Sequence, residues 1–238
     1  MGNGDGFTEI TLTPLGNKPR RPLITPAWRY LRAAHESVQG IFDGLSVLRR
    51  TRAEQREEFR GRLAKDQEDL LRAAVVFTSS GLDACCKRLV RDTAPLLIEL
   101  NEQAARKFDD YVKAQLAHGP SEAFSAAIRS KTPRAEMIRL YVAARTAASM
   151  QGSGDLRSRV RDTLGIENHA VPRRRLEQLD PFFTARNDIV HAMDYANPSS
   201  QSTKRHTRQM EWVRAQCDGV FSVAQELIVG AAANLPRR

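Results

Sequence analysis

The sequence predicts an all-α protein: a helical bundle with a long central helix and additional short helices. Three observations carry this expectation. Apolar residues recur at three- and four-residue spacing through most of the chain, the repeat of a helix face. Residues 70–90 are apolar nearly all round, as a helix at the centre of a core must be. No alternation of strand and helix signals is present, which argues against Rossmann and P-loop architectures.

The elements follow in order. Residues 1–24 are rich in Gly, Pro and Thr and read as an extended or flexible N-terminal arm. Within it, residues 8–13 alternate enough for a short strand. Residues 25–238 read as one all-α domain. Thr25-Pro26 opens a helix whose apolar positions are Trp28, Leu31, Val38, Ile41, Phe42, Leu45 and Leu48. A second helical region is expected from Thr51. It is charged as far as Asp69, with Phe59 and Leu63 as its stripe, and then becomes the central apolar helix. Residues 94–117 form another amphipathic segment, closed by His118-Gly119-Pro120. Shorter helices are expected over 121–130, 133–149 and 156–164, the last ended by Gly165. Pro172 introduces a short basic segment, Asn197-Pro198 stops the helix before it, and residues 205–234 read as a long final helix.

Bulk composition narrows the function classes. The chain has 238 residues, 41% hydrophobic and 27% charged, ordinary for a globular protein. No apolar run is long enough to cross a bilayer, so no membrane partner is expected. The N-terminus shows no signal-peptide pattern. Cys85, Cys86 and Cys217 lack zinc spacing, and an odd number argues against a secreted disulfide framework. The expectation is a reducing cytoplasm, with the neighbours Cys85 and Cys86 as small core residues of a helix rather than a redox pair. The net charge of +9 favours a polyanionic partner such as RNA. Arginine dominates over lysine, which suits bidentate phosphate recognition, although a coding bias toward arginine gives the same composition.

One stretch carries chemistry. Residues 180–195 read as a helix with Asp180 as N-cap and Pro181 at the first position. Phe182, Ala185, Ile189, Ala192 and Met193 fall on one face, and Arg186 falls among them. A guanidinium facing a core needs an ion-pair partner or an anion. Thr184, Asn187, Asp188 and His191 share the other side. Asn187 and His191 are four residues apart and so are neighbours on the helix surface. Arginine, amide and imidazole together can grip a phosphate and move a proton beside it. The plainer alternative is a structural ion pair at Arg186 and a surface histidine at His191.

The pattern Arg186-Asn187-x-x-x-His191, on a helix late in a basic all-α chain, resembles the HEPN superfamily, the higher eukaryotes and prokaryotes nucleotide-binding domains. Many of its members are metal-independent ribonucleases with an arginine-polar-x-x-x-histidine signature. Residues 70–90, with Asp83 inside, resemble that family's central helix with its acidic residue at mid-length. The architecture matches over roughly residues 25–235. The resemblance implies an endoribonuclease that leaves a 2′,3′-cyclic phosphate, of the kind found among bacterial toxins and phage-defence effectors. It implies a homodimer with a composite active site, and leaves room for a neutralising antitoxin or a regulatory partner. Some family toxins carry a tyrosine two residues after the histidine, which a partner modifies; here that position is Met193. The alternative reading is a non-catalytic RNA- or nucleotide-binding module that regulates a partner.

On this resemblance His191 would be general acid or base, Arg186 would stabilise phosphoryl charge, and Asn187 would orient the phosphate or the imidazole. Asp83 would pair with Arg186 and hold it. Lys87, one turn beyond Asp83, is placed to reach the same cleft or to be solvated, and the cluster Arg173-Arg174-Arg175 to hold RNA backbone or to form an ordinary solvated face. The other histidines, His35, His118, His169 and His206, have no ligand spacing with a second His, Cys or Asp, so no metal and no cofactor are expected.

Overall fold

The computed structural model describes residues 9–56 and 63–236. Among them every regular element is helical and no strand forms, as the periodicity predicts. No helix among these residues is long and apolar enough to cross a membrane.

A 3₁₀ turn over Pro22–Ile24 leads into α1 (Thr25–Arg56), which buries Trp28, Leu31, Val38, Phe42 and Leu45. The break expected near Thr51 is not there: α1 runs on to Arg56, and Phe59 lies outside the described residues. Next comes α2 (Lys65–Leu100). Its start is held by Gln67, whose side-chain oxygen accepts the Ala64 amide at 3.0 Å. Gly81 permits a close crossing of α1 and α2, since a Cβ there would stand 2.2 Å from the Cβ of Ala34.

The sequence reading starts a new amphipathic segment at residue 94, one residue before Pro95, whose ring removes an amide and crowds the preceding turn. In the fold α2 continues through Pro95 to Leu100. Interior proline costs about 3 kcal/mol. Burying Leu97 and Ile98 just beyond it stabilises the helix by roughly 1.5–3 kcal/mol each, which outweighs that cost. The break comes instead at Asn101, whose side chain accepts the Gln103 and Ala104 amides, both at 3.0 Å, and caps α3 (Glu102–Ala117).

Short helices α4 (Glu122–Ile128) and α5 (Pro133–Thr146) follow. The turn α6 (Ser153–Asp155) runs into a π-helical segment over Leu156–Arg161. Its wider winding shows in the bonds from Asp162 N to Arg157 O at 2.8 Å and from Ile166 N to Arg161 O at 3.0 Å. Gly165 ends it at φ 61°, against Asn101, where no Cβ would fit. Then come α7 (Arg173–Glu177), α8 (Asp180–Ala192) and α9 (Met210–Asn234). Helix α2 is the spine: α1, α3, α5, α8 and α9 all pack against it.

Two further expectations change. The final helix begins at Met210 rather than residue 205. Residues 195–205 instead form a narrow loop, closed by a bridge between Tyr195 and Arg205 and by Ala196 N to Lys204 O at 2.9 Å. In the arm, residues 9–13 pair with no strand. The alternation seen there buries Ile10 and Leu12. The backbone bonds go to side chains: Leu12 N to Gln39 Oε1 at 2.8 Å, Thr13 N to Asp218 Oδ1 at 2.8 Å, and Gly16 N to Gln225 Oε1 at 2.9 Å. The arm is thereby strapped to α1 and α9.

The cysteines are free and buried, as expected of core residues. Burial pushes the thiols of Cys85 and Cys217 up to about 12 and that of Cys86 well above its ordinary value, so all three stay protonated as apolar fill.

Candidate functional site

Helix α8 forms because Phe182, Phe183, Ala185 and Ile189 share an apolar stripe that the core can take, and Phe182 is fully buried. Its start differs by one residue from the sequence reading. Leu179 is the N-cap, and Asp180 is the first helical residue, its carboxylate accepting the Ser153 amide at 3.4 Å. Its end is sharp. Met193 and Asp194 both adopt left-handed backbone, at φ 50° and 62°. Asp194 N closes the turn onto Asp188 O at 2.8 Å. Two adjacent non-glycine residues in that region are costly and need outside support.

Arg186 and Asn187 are half-buried and His191 is exposed. The Arg186 Nη1 donates to Asn187 Oδ1 at 2.9 Å. That bond turns the amide oxygen toward the guanidinium and leaves the amide N–H₂ as a donor. No ion pair to Arg186 exists among the described residues. Beside His191 the apolar side chains of Val190 and Met193 stand 42% and 59% exposed. Met193 had been expected on the inward face; the left-handed turn at the helix end swings it out.

The expected Asp83–Arg186 pair is not formed. Asp83 on α2 instead takes Lys87 Nζ at 2.8 Å and accepts the Met150 amide at 2.9 Å. Lys87 was the nearer cation, one helical turn away. Asp83 thus ties α2 to the segment after α5. Lys87 is engaged by the same pair rather than held free for RNA. The basic cluster is also largely spoken for. Arg173 pairs with Glu177 at 2.6 Å, and Arg175 pairs with Glu226 at 3.0 Å and donates to Ser222 at 2.8 Å. Arg174 is exposed and has no side-chain partner among the described residues.

Sequence reasoning missed the strongest polar cluster in the molecule. Asp194 is fully buried, and two arginines converge on it. Arg72 Nε donates to Asp194 Oδ2 at 2.8 Å. Arg208 donates to both carboxylate oxygens, with its Nε 3.2 Å from Oδ2. Arg72 also donates to His206 O at 2.8 Å and to Asp69 at 3.1 Å. Arg205 reaches Asp69 at 2.7 Å, and Arg208 stands 3.7 Å from Asp188. Burial works against the charge on Arg72, but bonding and attraction to Asp194 and Asp69 hold its protonation above the ordinary guanidinium range. This cluster supports the strained end of α8 and so fixes the helix that carries His191.

Asp188, Asp194 and His206 bring potential ligand atoms within 4.8 Å of one another. The two guanidiniums already neutralise Asp194 and oppose a cation there, so the group does not fit a metal centre. The remaining histidines have local roles: His35 Nε2 lies 2.9 Å from Thr13 O with its ring against Phe221, and His169 Nδ1 lies 2.8 Å from Glu167.

No family model matches the sequence, and no curated protein and no solved structure matches the chain.

Proposed function

We propose that the chain is a metal-independent endoribonuclease acting through Arg186, Asn187 and His191. One observation carries the reading. Arg186 sits half-buried on the motif helix, and among the described residues only the side chain of Asn187 is bound to it and no carboxylate pairs with its remaining N–H groups. A guanidinium held in that way is a receptor for an anion. His191, one turn beyond Asn187 on the same helix, supplies proton transfer.

RNA brings its own nucleophile. A neutral imidazole removes the proton from the 2′-hydroxyl, and the oxygen attacks phosphorus. The bond to the 5′-oxygen breaks as a protonated imidazole gives that oxygen its proton. Arg186 and the Asn187 amide take up charge on the phosphoryl oxygens. The products are a 2′,3′-cyclic phosphate and a 5′-hydroxyl. One histidine makes a thin site for both proton transfers. A second copy across a two-fold axis supplies the other, and exposed Val190 and Met193 beside His191 offer apolar surface for that contact.

The alternative is a non-catalytic RNA- or nucleotide-binding module regulating a partner. It draws on the fact that His191 has no hydrogen-bond partner among the described residues to fix its tautomer. One experiment separates the two. Purified protein is incubated with mixed cellular RNA in excess EDTA, and product ends are mapped. Cleavage with cyclic phosphate ends, lost in His191→Ala, is expected. Binding without cleavage selects the module. Cleavage abolished by EDTA and restored by a divalent ion, or retained in His191→Ala, overturns the mechanism. Toxin or antiviral action and a neutralising partner are part of the same proposal: expression of the active chain, but not of His191→Ala, is expected to arrest growth.

A further inference from the structure

The N-terminal arm builds a second feature, which does not depend on the ribonuclease reading. Where the arm meets α2 and the end of α9 there is an open cavity of about 680 Å³. That is within the size range of small-molecule sites. Its lining combines the cations Lys18, Arg20 and Arg21 with the apolar side chains of Leu23, Leu96 and Leu235. No Asp or Glu among the described residues lines it.

The cations there differ from several surface arginines that are paired with carboxylates. Arg52, Arg88 and Arg134 each hold a carboxylate, at 2.6, 2.7 and 2.8 Å. In the cavity the partners are neutral. Lys18 Nζ donates to Thr25 Oγ1 at 3.0 Å, and Arg21 Nη1 donates to Arg20 O at 3.0 Å. The Nε of Arg21 is buried, away from the cavity, with no hydrogen-bond partner among the described residues. With no Asp or Glu of the described residues lining the cavity, Lys18, Arg20 and Arg21 leave it positively charged.

We propose that this cavity binds a small amphiphilic anion, a phosphate or carboxylate head on an apolar body. The head neutralises the cations of Lys18, Arg20 and Arg21 that line the cavity. The body covers Leu23, Leu96 and Leu235, which a bare inorganic ion would leave wet. Leu235 is buried and Leu23 exposed, while Lys18 and Arg20 are exposed, so an apolar body is accommodated toward Leu235 with the head among the arm cations.

The test is calorimetric titration of the full chain with octyl phosphate, octanoate, octanol and inorganic phosphate. Octyl phosphate or octanoate is expected to bind with one-to-one stoichiometry, about tenfold more tightly than octanol or inorganic phosphate. Whichever of the two heads binds more tightly identifies the ligand class, and either result supports the site. The double variant Lys18→Ala/Arg20→Ala should lose about tenfold in affinity. Both side chains are exposed, so its melting curve should match the wild type. Leu23→Asp, which places a carboxylate at the rim, should weaken binding without touching the arm cations. The proposal fails if neither amphiphile saturates, if octanol or inorganic phosphate binds as well, or if the double variant binds as the wild type does.

Discussion

The guanidinium of Arg72 on α2 and the carboxylate of Asp194 at the end of α8 are joined at 2.8 Å, with 7% and 0% of their side chains exposed. This contact pins the motif helix to the spine of the fold. It also sustains the left-handed backbone at Met193 and Asp194, which neither residue favours alone. Removing the charge is the direct test. Asp194→Asn keeps a side chain that tolerates left-handed backbone, but leaves Arg72 and Arg208 without their counter-charge. Breaking a buried pair in that way costs about 3–5 kcal/mol. Urea unfolding should show a loss of that order; a change under about 1 kcal/mol would mean the pair is not structural.

Arg186 behaves differently. It is half-buried and bound to a neighbour's side chain rather than lodged in the core, so Arg186→Ala should lose less than about 1 kcal/mol of stability, the net worth of one hydrogen bond. Its effect on RNA cleavage should be large, about 10²–10³-fold, as for the loss of a charge-stabilising donor. Arg186→Lys should recover little activity, because an ammonium lacks the fork that spans two phosphoryl oxygens. Equal cleavage by wild type and Arg186→Ala would remove this residue from the mechanism.

Asp83 is expected to matter to the fold and not to the reaction. Asp83→Ala strips Lys87 of its ion pair and Met150 of its acceptor. A partly buried amide left unsatisfied corresponds to about 1–3 kcal/mol. Thermal melts should register that loss, while cleavage per folded molecule stays near wild type. A cleavage defect with unchanged melting would return Asp83 to the site.

The apolar pair beside His191 predicts an oligomer. Val190→Glu and Met193→Glu place charge on exposed positions, so neither should disturb the monomer fold. Both should shift sedimentation from dimer to monomer and lower cleavage in proportion. Mixing Arg186→Ala chains with His191→Ala chains, each inactive alone, should restore part of the activity if the site is shared between copies. A wild-type chain that sediments as an active monomer at assay concentration would contradict the arrangement.

Helix periodicity was enough to read the all-α class, the central helix and the motif helix. Boundaries were missed where tertiary packing overrode local signals. Pro95 breaks a helix in isolation but not where Leu97 and Ile98 are buried just beyond it. Alternation at Ile10 and Leu12 marked burial correctly and backbone pairing wrongly, because a side chain on α1 supplied the hydrogen bonds. The rule that an arginine within an apolar helix face needs a partner was sound. It was applied to Arg186, which lies half in solvent, when Arg72, flanked by Leu70, Leu71, Ala73 and Ala74, obeys it fully. Its partner could not be read, since Asp194 lies 122 residues away and is brought in by a turn that no local pattern announces.

That separation has a kinetic meaning. Helices α1 and α2 are consecutive and can pair early, whereas the Arg72–Asp194 contact must wait until most of the chain has been laid down around α2. Contacts that form after the barrier has been crossed leave the folding rate almost untouched and set the rate of escape from the native state. On that ordering the buried ion cluster is expected to act as a latch rather than a nucleus: Asp194→Asn should leave the refolding rate almost unchanged and speed unfolding.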